Sequence, residues 1–254
     1  MLPMSRPEGG VPSPSAGSLA GRVVLVSGAT GGLGRATALA VAEAGASVVL
    51  LGRKVRALEK LYDEIEQAGL PQPALYPMDL AGALPKDHAD LAATVERELG
   101  RLDGLVHAAA HFDTLQPFEQ QTPEEWQRTQ QVNLAAPFFL SAACLPLMKQ
   151  REDAAVVFVF DDVARVGNAF WGGYGVAKHA LLGLASIMHE ETENSPVRTH
   201  AVLPPPMRTA LRRAAYYGEN TMEHPEPAQA GRAIAWLLGA EGAGARGTVL
   251  DLRG

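Results

Sequence analysis

The stretch Arg22-Val23-Val24-Leu25-Val26-Ser27-Gly28-Ala29-Thr30-Gly31-Gly32-Leu33-Gly34 decides the fold. Its first half is a continuous run of β-prone apolar residues, the composition of a strand buried on both faces of a parallel sheet. Its second half puts glycines between that strand and helix formers over 34–44, and Gly45 supplies a stop signal. Glycines at such a junction let the chain turn tightly and let an anionic group approach the amides that open the helix. Strand, then glycines, then helix is the context that makes a glycine cluster a dinucleotide site.

Working outward, the alternation repeats. Strands are expected over 47–51, 74–78, 104–107, 154–160, 197–203 and 248–252. Helices are expected over 55–67, 88–99, 174–191 and 227–238. Another opens at Thr122-Pro123-Glu124-Glu125, an N-cap with proline and acids in the first turn, and runs with interruptions to Gln150. The pattern predicts an α/β protein with a Rossmann-type, doubly wound parallel sheet of about seven strands in a single domain. Residues 1–18 carry Pro3, Pro7, Pro12 and Pro14 among Gly and Ser and read as a flexible tail, leaving 19–254 as the domain. The tail lacks the apolar centre of a signal peptide.

Composition narrows the function classes. With 47% hydrophobic and 20% charged residues in 254, disorder of the whole chain is excluded. A net charge of −6 without basic runs gives no electrostatic footprint for nucleic acid. No stretch reaches the ~18 apolar residues of a membrane span. A cytoplasmic protein without nucleic-acid or membrane partners is expected. Cys144 stands alone, so neither an intrachain disulfide nor a cysteine zinc cluster can form, and its apolar neighbours predict a buried thiol. The adjacent pair Asp161-Asp162 offers too few ligands for a hard metal, so no metal site is expected.

The spacing Gly-x-x-x-Gly-x-Gly at Gly28, Gly32 and Gly34, with Tyr174-Gly175-Val176-Ala177-Lys178 downstream, resembles the short-chain dehydrogenase/reductase family over about residues 19–252. Leu50-Leu51-Gly52-Arg53, Arg101-Leu102-Asp103-Gly104 and Trp171-Gly172-Gly173-Tyr174 are similar to a bacterial subgroup of mostly unassigned substrates. The resemblance implies an oxidoreductase acting on a small-molecule carbonyl or alcohol and assembling as a homodimer or homotetramer. It implies that Gly28, Thr30, Gly32, Leu33 and Gly34 hold the nucleotide, with Asp79 and Leu80 at adenine. Ala109, Pro204 and Thr209 fall nearer the nicotinamide. Tyr174 becomes the acid/base, supported by Asn133 and by Lys178, which shares its helix face and favours phenolate. At the end of the second strand an acid would bind the NAD ribose, but the chain has Gly52-Arg53-Lys54, which favours NADP over NAD.

The catalytic set departs from the family in one decisive place. Where a serine is expected, thirteen residues before the tyrosine (174 − 13 = 161), stands Asp161, and no serine lies between Ser141 and Ser186. A protonated Asp161 can donate to the substrate oxygen as serine does; an ionised one repels a developing oxyanion and raises the Tyr174 pKa. An aspartate beside Lys178 is more easily kept ionised. His107-Ala108-Ala109-Ala110 and Pro204-Pro205-Pro206 replace the family's Asn-Asn-Ala-Gly and Pro-Gly. Phe170, Trp171, Tyr216 and Tyr217 fall where the family builds its substrate pocket, and His111 on the altered loop can face substrate. The sequence therefore points to an NADP-dependent oxidoreductase. The alternative is a catalytically impaired nucleotide-binding protein serving as sensor or assembly partner.

Overall fold

Along an extended strand successive side chains point to opposite faces. Val24 and Val26 accordingly pack into one apolar layer and Val23 and Leu25 into another, on either side of a central sheet. The computed structural model describes residues 2–7 and 9–253 of the chain. Its strands are β1 (Met4–Ser5), β2 (Val23–Ser27), β3 (Ser47–Gly52), β4 (Ala74–Pro77), β5 (Gly104–His107), β6 (Ala154–Val159), β7 (Val197–Leu203) and β8 (Val249–Asp251). The helices are α1 (Gly32–Glu43), α2 (Val55–Gln67), α3 (Pro85–Leu99), α4 (Pro123–Gln130), α5 (Ala136–Met148), α6 (Val163–Val166), α7 (Gly172–Thr192), α8 (Ala210–Ala215) and α9 (Ala228–Leu238).

All strands are parallel, in the order β1-β8-β7-β6-β5-β2-β3-β4. Helices α1, α2 and α9 cover one face through residues such as Val41, Leu61 and Ile234. Helices α3, α5 and α7 cover the other through Leu91, Leu140 and Leu181. From β2 the chain winds outward to β4, then returns to lay β5 on the other side of β2. Loops leaving the carboxyl ends of β2 and β5 therefore diverge, and a crevice opens between them, the position where open α/β sheets bind ligands.

One expectation needs correction. The sheet has an additional strand, because part of the tail expected to be flexible is ordered at its edge. Met4 and Ser5 lie opposite Val249 and Leu250, and the Val249 amide donates to the Pro3 carbonyl at 2.8 Å. Leu2 is buried, and Arg6 reaches Asp251 at 3.3 Å. The cause is the unpaired polar edge of β8, which an extended segment satisfies; Pro3 and Pro7, read as signs of flexibility, also favour extended backbone. The helical run Pro123–Met148 is long and apolar enough to cross a membrane by length and composition. Its apolar residues Val132, Leu140, Cys144 and Met148 pack instead into the sheet's core layer.

Candidate active site

The crevice is shaped first by backbone. Gly28 has φ of 68°, and a Cβ there would lie 2.6 Å from the Cα of Ala109 in the loop after β5. A Cβ at Gly34 would come within 2.1 Å of the Gly28 carbonyl oxygen. Both positions exclude any larger residue. Helix α1 has Gly31 as its N-cap, without a side-chain cap bond or an acid in its first turn, so its leading amides stay available.

From this helix end a cavity of about 590 Å³ runs to the start of α7, within the usual size of small-molecule sites. Gly28, Thr30, Gly32, Leu33 and Gly34 form its floor, and Arg53, Lys54, Asp79 and Leu80 its distal end. Ala109, Pro204 and Thr209 line its middle, and Asp161, Tyr174 and Lys178 its near end. Arg53 and Lys54 are exposed. Thr209 caps α8 by accepting from the Arg212 amide at 3.1 Å, while its methyl faces Gly32, where a Cβ would sit 2.9 Å away. The open amides, the glycine floor and the cations beyond β3 fit a phosphorylated dinucleotide.

The near end is built differently. Asp161 follows β6 directly, and Tyr174 and Lys178 share one face of α7. The Tyr174 hydroxyl donates to Asp161 Oδ2 at 2.9 Å. Asp161 Oδ1 accepts from the Asp162 amide at 2.8 Å and from Arg165 Nη2. Asp161 is thus held as an acceptor, ion-paired to Arg165. Arg165 in turn gives Nη1 to the Tyr216 hydroxyl at 2.5 Å, and its guanidinium lies 5.3 Å from the Trp171 ring centroid and 5.4 Å from that of Tyr216.

The electrostatics follow from this geometry. Burial, then the Asp161 charge and its hydrogen bond, hold the Tyr174 hydroxyl well above its ordinary pKa of 10.0. Burial pulls Lys178 down to about 8, against the upward influence of Asp161. Lys178 Nζ donates to the Val159 carbonyl at 3.1 Å and lies 5.6 Å from the Tyr174 ring centroid. Burial and Asp161 thus oppose the depressed tyrosine implied by the family resemblance.

Asn133 sits in the widened π-type turn Gln131–Ala135 between α4 and α5 and does not line the cavity. Its Nδ2 donates to the His111 and Thr129 carbonyls at 2.8 and 2.9 Å, and its Oδ1 accepts from the His111 amide at 3.0 Å. It pins the loop after β5. His111 lines the cavity and pairs with Asp113 at 3.1 Å. His107 is buried, stacked on Phe158 and bonded to Ser141 at 2.8 Å, and burial drives its pKa down to about 3. Cys144 is buried, its thiol pushed up to about 12. Of the aromatic residues assigned to a substrate pocket, Phe170 and Tyr217 are 55% and 89% exposed and stand outside it. Trp171 packs with Val166, Tyr174 and Ala215.

Sequence reasoning missed Arg165 and Arg253, which both line the cavity. Arg165 was visible as a cation four residues after Asp161, the spacing of an ion pair across one helical turn. Arg253 binds its near neighbour Asp251 at 2.8 Å and also Asp162 at 2.5 Å, the latter a contact between distant segments that no local pattern announces.

Residues 22–220 match the short chain dehydrogenase family. The oxidoreductase YciK of Escherichia coli (strain K12) is 32% identical over 230 residues, which cover 91% of this chain and 91% of YciK. A short chain dehydrogenase structure from Pseudomonas syringae superimposes with a TM-score of 0.91 at 40% identity, covering 95% of this chain and 98% of that one. Another, from Escherichia coli CFT073 in complex with NADPH, gives 0.89 at 33% identity, covering 95% of this chain and 100% of the other.

Proposed function

Because this chain belongs to the short-chain dehydrogenase family, we propose that it is an NADP-dependent oxidoreductase acting at a carbon that bears oxygen or nitrogen. The carrying observation is one continuous cavity joining the uncapped start of α1 to Tyr174 and Lys178. The open α1 amides take the pyrophosphate, and Arg53 with Lys54 takes the additional phosphate that separates NADP from NAD. The NADPH complex of the Escherichia coli CFT073 relative supports the same choice. A bound nicotinamide supplies or accepts the hydride. Tyr174 moves the proton at the substrate's heteroatom, and Lys178 holds the ribose and stabilises charge on the Tyr174 oxygen. Asn133 fixes the loop after β5 through the His111 backbone.

For the carbonyl/alcohol reaction usual in the family, Tyr174 must first release its proton from Asp161. That contact favours the second reading, a nucleotide-binding protein of low turnover. Fluorescence titration with NADPH and NADH, followed by NADPH oxidation over matched substrates, decides between them. Binding with turnover establishes the enzyme, and binding alone establishes the second reading. Assembly as a homodimer or homotetramer is part of the proposal. Phe138 on α5 and Val176 and Ile187 on α7 are about half exposed, apolar area that a second copy would cover. A single monomeric species in sedimentation at micromolar concentration would contradict that.

A further inference from the structure

A site that reduces a carbonyl must offer hydrogen-bond donors, because the oxygen carries only lone pairs and gains negative charge. The Tyr174–Asp161 pair at the near end of this cavity offers acceptors. Tyr174 has a single hydroxyl proton, and it is given to Asp161 Oδ2 at 2.9 Å. Asp161 accepts on both oxygens, with the Asp162 amide and Arg165 donating to Oδ1. What faces the cavity from this pair is a carboxylate oxygen and the free lone pair of a phenol.

The neighbouring cations are engaged elsewhere. Among the described residues, Arg165 is bound to Asp161 and Tyr216, and Lys178 gives one N–H to the Val159 carbonyl and, in the reading above, the others to the cofactor ribose. Arg253 is bound to Asp162 and Asp251, and Arg212 holds Glu219 at 2.7 Å. His111 pairs with Asp113. Arg165 also balances the Asp161 charge, so selection rests on hydrogen-bond polarity rather than on net charge.

Resting on the hydride-transfer reading above, we infer that the bond this site acts on is carbon–nitrogen: the substrate is a protonated imine, or in reverse an amine, whose N–H is accepted by Asp161 Oδ2 and the Tyr174 oxygen. The step balances without a proton from Tyr174. The imine carbon gains hydride from the reduced nicotinamide and forms a new C–H bond. The C=N π pair withdraws onto nitrogen, which keeps its proton and becomes a neutral amine. In reverse the nitrogen lone pair re-forms the π bond as hydride leaves carbon for the oxidised nicotinamide, and the cation that develops is stabilised by Asp161.

The test uses shape-matched pairs. 3,4-Dihydroisoquinoline is set against 1-tetralone for NADPH oxidation, and 1,2,3,4-tetrahydroisoquinoline against 1-tetralol for calorimetric binding to the NADP⁺-loaded protein. The wild type should favour each nitrogen compound by about tenfold or more, the worth of matching rather than opposing one charged hydrogen bond. Asp161→Asn should abolish the binding preference, and Asp161→Ser should reverse the turnover preference toward the ketone. NADPH binding by both variants controls for folding. Preference of the wild type for oxygen compounds, or a ratio unmoved in Asp161→Ser, would overturn the inference. If NADPH binds but the amine neither binds nor forms, the nitrogen assignment falls while the cofactor reading stands. If NADPH does not bind, both fall.

Discussion

The two ends of the cavity are built on opposite principles. At the nucleotide end the donors stand open: α1 has no cap, and Arg53 and Lys54 are exposed. At the reaction end the polar groups are already engaged with one another, Tyr174 with Asp161, Asp161 with Arg165, and Arg165 with Tyr216. An open end is ready for a ligand that brings its own charge. A closed end accepts only a ligand able to replace or join the bonds already made. Cofactor binding and chemistry should therefore respond to different mutations.

Tyr174→Phe carries the largest expected effect. It removes the group proposed to move the proton in the carbonyl/alcohol reaction and should lower ketone turnover by about 10²- to 10⁴-fold, with the NADPH dissociation constant little changed in a fluorescence titration. A parallel loss of binding would show that the two ends are not separable. Gly34→Ala should do the reverse. Its Cβ would meet the Gly28 carbonyl at 2.1 Å, so the glycine turn must shift. NADPH binding should be lost, with stability in a denaturant melt falling by about 1–3 kcal/mol. Arg53→Ala is milder, weakening NADPH by about tenfold while leaving NADH nearly unaffected, because only NADPH carries the extra phosphate. Equal losses for both cofactors would remove Arg53 from that role.

The same contrast governs what could be read from the sequence. The nucleotide end is local: strand, glycines and helix follow within thirteen residues of 22–34, and each letter has a backbone reason. Parallel strands and their covering helices were legible for the same cause, since burial on both faces leaves continuous apolar runs such as 154–159. The reaction end is assembled from segments far apart. Asp161 was visible by its offset from Tyr174, but its direct bond to that hydroxyl and the bracing by Arg165, Tyr216 and Trp171 come from tertiary packing. Strand β1 escaped because two residues at a sheet edge carry no periodicity.

The boundary between the ends can be probed by pH. His107 closes β5 beneath the loop joining them, with its pKa near 3 in the folded chain against 6.5 for a free histidine. The unfolded chain takes up the proton first, so stability is level above pH 6.5 and declines as pH falls toward 3. The slope from this one site is about 1.4 kcal/mol per pH unit. His107→Phe should show a shallower loss between pH 6.5 and 5 in urea melts, and an unchanged slope would mean that His107 is not buried neutral.

The central claim is that Asp161 holds the Tyr174 proton. Ultraviolet titration of tyrosinate, taken as the difference between each protein and its Tyr174→Phe counterpart, reads that proton directly. Wild type should show no Tyr174 ionisation through pH 10, the ordinary tyrosine value, because burial and Asp161 hold the hydroxyl above it. In Asp161→Ser the same difference signal should move to lower pH. Ionisation of Tyr174 below pH 10 in wild type, at a position unmoved by Asp161→Ser, would contradict the account.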